Sequence, residues 1–373
     1  MTSPSAPATA GPSRRRPVAS QHHGTSVPAG RQTGRSAAFV LVPLVVLMLT
    51  CLAALALGAR AVDPATTLQV LLGGTDGSAA AQGIDSAAVL SRIPRTVTAV
   101  LVGAALGVTG AALQGATRNP LGDPSLLGLS AGAMLAVAAG LALGVPATLV
   151  PIIGLAVAGT LVAAVVVYAV AGTASRRATG TGGAPGPLSL VLAGAAITAG
   201  CTALTTALLV LFPAVLDRFR FWTVGSVART SLEDAALLAP LILVGILVVV
   251  LCAPGLDALS LGDELAHGLG ARPVRTRVLL LGSAVVLTAA AVALAGPVGF
   301  VGLMVPHALR RFHPPTTRVL VFGCALWGAV LLVAADLFGR LVVAPQEIHI
   351  GVTTVVLGVP VLLVLLRRKA VSL

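Results

Sequence analysis

The residues best suited to chemistry in this chain are few, and their spacing argues against most reactions. A P-loop needs a lysine after glycine and before Ser or Thr to reach the phosphates of a nucleotide. The chain has one lysine, Lys369, between Arg368 and Ala370. ATP hydrolysis by a P-loop is thereby excluded. Cys51, Cys201, Cys252 and Cys324 lie singly in or beside apolar runs, without the paired spacing of a zinc or redox site. His22, His23, His267, His307, His313 and His349 are scattered, and no two have ligand spacing within an apolar run. No catalytic residue and no metal site follow from these patterns. Coupling to an ion gradient would call for ionisable groups near the centre of a membrane. Asp336 instead lies toward one end of its apolar run, one turn before Arg340, where an i, i+4 ion pair accounts for it. An ion-coupled secondary transporter is therefore the weaker of two readings, and the stronger draws its energy from a partner protein.

Three segments have the chemistry of contact surfaces. Between 254 and 275, Leu261, Leu265 and Leu269 recur every four residues with Asp263 and Glu264 on the other side, which predicts a short amphipathic helix. Its acids disfavour an anionic lipid surface and favour a soluble partner. Arg92 and Arg95 flank Pro94, and Arg340 closes a later run; these cations suit anchoring at a membrane interface or a rim for an acidic partner. Arg118-Asn119-Pro120-Leu121-Gly122-Asp123-Pro124 reads as a tight turn, with Asp123 expected to cap the next helix and Pro124 in its first turn.

The elements that carry these segments are set by composition. The chain is 57% hydrophobic and 10% charged, against about 25% charged in soluble domains. Apolar runs of about 20 residues must be helical in lipid, where each backbone N–H and C=O needs an internal partner. The expected fold is an all-α membrane protein with about ten spans near 37–59, 95–115, 124–144, 147–172, 188–212, 235–253, 276–296, 299–312, 319–340 and 350–367. The eighth is short, and Gly299, Gly302 and Pro306 predict a broken or partly re-entrant helix. Residues 1–36, rich in Ser, Pro, Thr, Gly and Arg, are expected to be a disordered cytosolic tail. Arg14-Arg15-Arg16 and Ala54-Leu55-Ala56 resemble parts of a signal peptide, but the run that follows the arginines is long enough to span and more spans succeed it. With the N-terminus inside, seventeen Lys and Arg fall in cytosolic segments and seven outside. Both termini are then cytosolic. The net charge of +12 follows this loop pattern, and no stacking platform or groove-reading motif supports nucleic-acid binding. Gly103/Gly107, Gly128/Gly132 and Gly140/Gly144 have the small-xxx-small spacing of close helix packing.

From about residue 37 onward the chain resembles the FecCD-type permeases, the membrane subunits of ABC importers for iron-siderophores, haem and cobalamin. The resemblance is carried by Arg92-Ile-Pro-Arg95, Gly103 through Gln114 into Arg118–Pro124, Leu127 through Gly132, Leu259-Ser-Leu-Gly-Asp-Glu264, Ala295 through His307, and Ala335-Asp336 through Arg340. It implies a type II ABC importer architecture: two permease chains, identical or related, around one pathway, two cytosolic ATPase subunits that use ATP and Mg, and an extracytoplasmic substrate-binding (lipo)protein. The permease itself would bind no cofactor, and its other partner is membrane lipid. By the same resemblance Leu259, Leu261, Gly262, Asp263, Glu264, Leu265, Leu269 and Gly270 would form the coupling element on the ATPases. Arg92, Arg95 and Arg340 would receive acids of the binding protein. Asn119 and Leu121 would lie near the cytosolic gate, and Thr198, Thr202 and Thr205 along the pathway. Alternating access is the implied mechanism. The chain departs from the family in its long tail, in its Gly-rich segment 176–187, and in Arg310-Arg311-Phe312-His313-Pro314-Pro315, where an acid and a glycine are more usual.

Overall fold

The computed structural model describes residues 29–58, 62–72, 79–120, 122–125, 127–179, 187–344 and 346–370. Among them the chain is all helix: α1 (Ala29–Ala56), α2 (Pro64–Leu71), α3 (Ala79–Thr117), α4 (Leu129–Ala142), α5 (Leu149–Thr179), α6 (Pro187–Leu211), α7 (Pro213–Thr223), α8 (Leu232–Ser260), α9 (Asp263–Gly268), α10 (Pro273–Ala295), α11 (Val301–Arg310), α12 (Thr317–Val342) and α13 (Ile350–Ala370). Seven helices are long and apolar enough to cross a membrane, and α4 and α13 are shorter apolar helices. With α11 they account for the expected ten apolar segments. α2, α7 and α9 are the additional short helices.

The expected helix ends shift where packing outweighs local breakers. α3 starts at Ala79 rather than 95 and runs through Pro94, so Arg92 and Arg95 stand on helix and not in a loop. α8 runs through Pro254 to Ser260, because doing so buries Leu256 and Leu259. The cytosolic connection before α10 shortens accordingly to 261–272. α1 begins at Ala29, inside the segment expected as tail; the rest of that segment, 1–28, lies outside the described residues.

At the centre, α3 packs against α12, α10, α8 and α11. The α3–α12 crossing is so close that a Cβ on Gly103 would lie 2.4 Å from the Gly328 carbonyl oxygen, and one on Gly107 would lie 2.2 Å from that of Cys324. Without a hydrophobic drive between helices in lipid, such backbone approach supplies dispersion contact that larger residues would prevent. Of the other two glycine pairs, Gly132 and Gly140 pack against α5 and Gly128 lies against α6, whereas Gly144 faces open space. Gly128 and Gly144 also take positive φ (74° and 85°) at the two ends of α4.

Candidate functional site

The break between α10 and α11 is where the apolar bundle must solve a polar problem. Helix stops at Ala295, Gly296 and Phe300 adopt positive φ (72° and 70°), and α11 restarts at Val301 without a side-chain cap of its own. Its N-terminal amides need acceptors, and Pro306 cannot donate to the carbonyl of Gly302 four residues earlier. Both deficits are met by other parts of the chain. Asp123 is buried and accepts from the Leu303 amide in the first turn of α11, and also from the amide and hydroxyl of Ser125. Burial pushes its carboxyl above the ordinary range against the pull of those bonds. Asp123 thus caps a helix 180 residues downstream and not α4, which starts only at Leu129 behind Gly128. On the other side Gln114 donates through Nε2 to the carbonyls of Leu303 (3.1 Å) and Gly302 (3.4 Å), supplying the donor that Pro306 lacks.

Replacing Gln114 with leucine therefore strands the Gly302 carbonyl and should destabilise the protein by about 1–3 kcal/mol. In a Pro306→Ala background the restored amide serves that carbonyl, and the same replacement should cost under about 1 kcal/mol. A thermal-unfolding double-mutant cycle in detergent measures the difference; equal costs in the two backgrounds would refute the assignment.

At the outer end an ionic cluster joins α1, α3 and α12. Asp336 accepts from Arg95 (Nε 2.8 Å, Nη2 2.7 Å) and pairs with Arg340 (Nε 3.1 Å), and Arg95 also reaches Glu347 (2.8 Å). Arg340 donates to the carbonyls of Ala54 and Leu57, while Arg92 donates to those of Leu55 and Ala56. Two guanidiniums thus satisfy the last carbonyls of α1, where the helix dipole also favours cations. The three expected docking arginines are brought together, but they are not equivalent. The side chain of Arg340 is only 4% exposed, because it serves α1 and Asp336, so it is not presented to a docking partner in this structure; that of Arg95 is 14% exposed. The i, i+4 pair was legible in sequence. Glu347, 252 residues from Arg95, carried no local signal.

At the cytosolic end α9 hangs between two glycines. Gly262 has φ 110° and ψ 155°, a region closed to side chains, and Gly270 has φ 78°. Ala266 is fully buried beneath the helix, whereas Leu261, Leu265 and Leu269 are 56%, 62% and 68% exposed. The predicted leucine stripe exists, on a six-residue helix. Leu259 is buried in the last turn of α8 and belongs to the core. The side chains of Asp263 and Glu264 lie outside the described residues.

The remaining sites are less concentrated. Asn119 is half-buried and its carbonyl accepts from the Gly122 amide in the turn after α3; Leu121 lies outside the described residues. On α6, Thr198 and Thr205 spend their hydroxyls on the carbonyls of Gly194 and Cys201, and Thr202 is exposed. α6 leaves most of its surface uncovered. No group of three or more His, Cys, Asp or Glu among the described residues is arranged to hold a metal.

A polytopic helical bundle with a broken, internally capped span and an exposed cytosolic leucine helix defines a membrane transport protein. The FecCD transport family pattern matches residues 46–368, and the chain belongs to that family. It is a multi-pass protein of the cytoplasmic membrane. It is 37% identical over 333 residues to the ferric enterobactin transport system permease protein FepD of Escherichia coli (strain K12), covering 88% of this chain and 96% of that one. Identity to the Fe(3+)-citrate import system permease protein YfmE of Bacillus subtilis (strain 168) is 35% over 340 residues, covering 91% and 98%. With the cobalamin import system permease protein BtuC of Halobacterium salinarum it is 40% over 283 residues, covering 75% and 73%. Among solved structures, an inward-facing metal-chelate type ABC transporter superposes with a TM-score of 0.74 at 24% identity, covering 89% of this chain and 99% of that one. That likeness shows the fold.

Proposed function

We propose that this chain is the permease subunit of an ATP-driven importer that moves an iron-siderophore complex, or a haem or cobalamin of the same chelate class, into the cytoplasm. Two such chains, identical or related, would surround the pathway, with two ATPase subunits below and an extracytoplasmic binding protein above. ATP and Mg act in the ATPases. The observation that carries the reading is α9: a helix held out between two glycines at the cytosolic end, with three large leucines facing away from the protein. Exposed leucines outside the bilayer mark a protein contact, and a rigid short helix can pass movement in a partner to α8 and α10, which flank it. On the outer face, docking falls to Arg92 and Arg95, with Arg340 as their internal support. Along α6, threonine hydroxyls engaged by their own helix leave a wall that grips cargo weakly, as alternating access requires.

Leu265→Asp should weaken association with the ATPase subunits at least about tenfold, or about 1.4 kcal/mol, while the chain still inserts in the membrane. Co-purification and ATP-dependent chelate uptake in proteoliposomes measure this. Uptake that persists at the unaltered level, or that follows an ion gradient with no ATPase present, would remove the proposal.

A further inference from the structure

An apolar cleft of about 520 Å³ lies between the first half of α1, α11 and the turn after it, the middle of α12 and α13, with Phe39, Val42, Met304, Phe312, Trp327 and Leu331 among its walls. Its depth is set by α12. From Thr317 at the cytosolic end of that helix to Leu331 the rise is about 21 Å at ~1.5 Å per residue. The cleft therefore runs from the inner membrane surface to about the middle of a ~30 Å hydrocarbon core. Water has almost no polar partner along these walls and is a poor occupant. No segment among the described residues fills it.

Charge marks the mouth. Arg310 and Arg311 sit between the lining residues Leu309 and Phe312, Arg318 follows at the start of α12, and all three are exposed. Asp257, at the inner end of α8, accepts a hydrogen bond from the Thr317 hydroxyl. The segment 310–318 holds three arginines and no acid, which leaves a positive excess along it at the headgroup level of the inner leaflet. The elbow that holds them contains Pro314 and Pro315, whose fixed φ restricts the turn before any ligand arrives.

We infer that this cleft is a binding site for an anionic phospholipid of the inner leaflet, one acyl chain lying in the cleft and the phosphate held by Arg310 and Arg311. The chain would gain dispersion contact along walls that otherwise face a void, and planar guanidiniums match phosphate oxygens in pairs. Two arginines at an anionic headgroup correspond to a preference of about tenfold or more over a zwitterionic lipid.

Of the two tryptophans, Trp327 lines the cleft and Trp222 stands on α7. In full-length Trp222→Phe protein in vesicles, Trp327 fluorescence is titrated with phosphatidylglycerol or phosphatidylcholine brominated on the acyl chains. Half-maximal quenching should need about tenfold less phosphatidylglycerol. Arg310→Gln with Arg311→Gln should bring that ratio to about one. Ala308→Phe, which fills the cleft with the charges intact, should reduce quenching by both lipids and serves where the double variant does not fold. Equal quenching by the two lipids in the parent, a preference that survives the double substitution, or full quenching in Ala308→Phe would each overturn the site. So would a rise in quenching by both lipids on removing residues 1–28, which would make that segment the occupant.

Discussion

Asp336→Ala is expected to lower the stability of the protein by about 3–5 kcal/mol, the range for removing one partner of a buried ion pair. Asp336 is 3% exposed and receives two arginines, so its loss leaves the guanidiniums of Arg95 and Arg340 without their shared carboxylate. Glu347 still neutralises Arg95 in part and attracts Arg340 from beyond ion-pair distance, but Asp336 is the one carboxylate in ion-pair contact with Arg340 among the described residues. Against a total stability of ~5–15 kcal/mol for a typical domain, such a loss is a large fraction. Purified variant should unfold at a clearly lower temperature and tend to aggregate in detergent. A second change separates charge from packing: Asp336→Ala combined with Arg340→Met should recover part of the loss, because an apolar replacement removes the stranded cation. A single variant that melts with the parent would show that the cluster contributes nothing to the fold.

Gly110→Val should be at least as damaging, for a steric reason. A Cβ at Gly110 would lie 1.8 Å from the carbonyl oxygen of Gly302 and 2.6 Å from its Cα, so the obstacle is backbone and no rotamer relieves it. α3 and α11 would have to separate, and Gln114, one turn along α3, would lose its hold on Gly302 and Leu303. Overpacking costs about 1–3 kcal/mol where side chains can yield and more where they cannot. We expect little monodisperse protein and no chelate uptake. Gly282→Ala on α10 is the control, since a Cβ there meets nothing within 4 Å. Its stability should match or exceed the parent's, as Ala is the better helix former. If Gly110→Val purifies and transports like Gly282→Ala, the close crossing is not a constraint.

How much of this was legible in the sequence depends on whether the signal was local. The apolar runs, the break around Gly299 and the pairing of Asp336 with Arg340 all follow from periodicity and near-neighbour spacing. Proline was a poor guide to helix ends: α3 and α8 continue through Pro94 and Pro254, where burial of the following apolar residues outweighs one lost amide donor. Asp123 was recognised as a capping residue but assigned to the wrong helix, because its true client lies far downstream and only the folded chain brings them together. The burial of Arg340 was equally hidden, since α1 and Arg95 create it. Gln114 offered the clue most easily passed over: a lone amide in an apolar helix, opposite a proline that frees a carbonyl.

One further consequence comes from the length of α3. At ~1.5 Å per residue its 39 residues form a rod of about 58 Å, nearly twice the ~30 Å thickness of the hydrocarbon core. Its tight crossing at Gly103 lies midway between Arg92 and Gln114, about 16 Å along the helix from each, so a tilt about that crossing would move the two in opposite directions. Rocking such a beam by roughly 5° about that crossing would shift Arg92 and Gln114 by about 1.4 Å each, given the same rise per residue. A push delivered near Arg92 on the outer side would thus arrive at the broken span as a displacement comparable to the stretch that parts the Gln114 hydrogen bonds, with no relay of side chains in between.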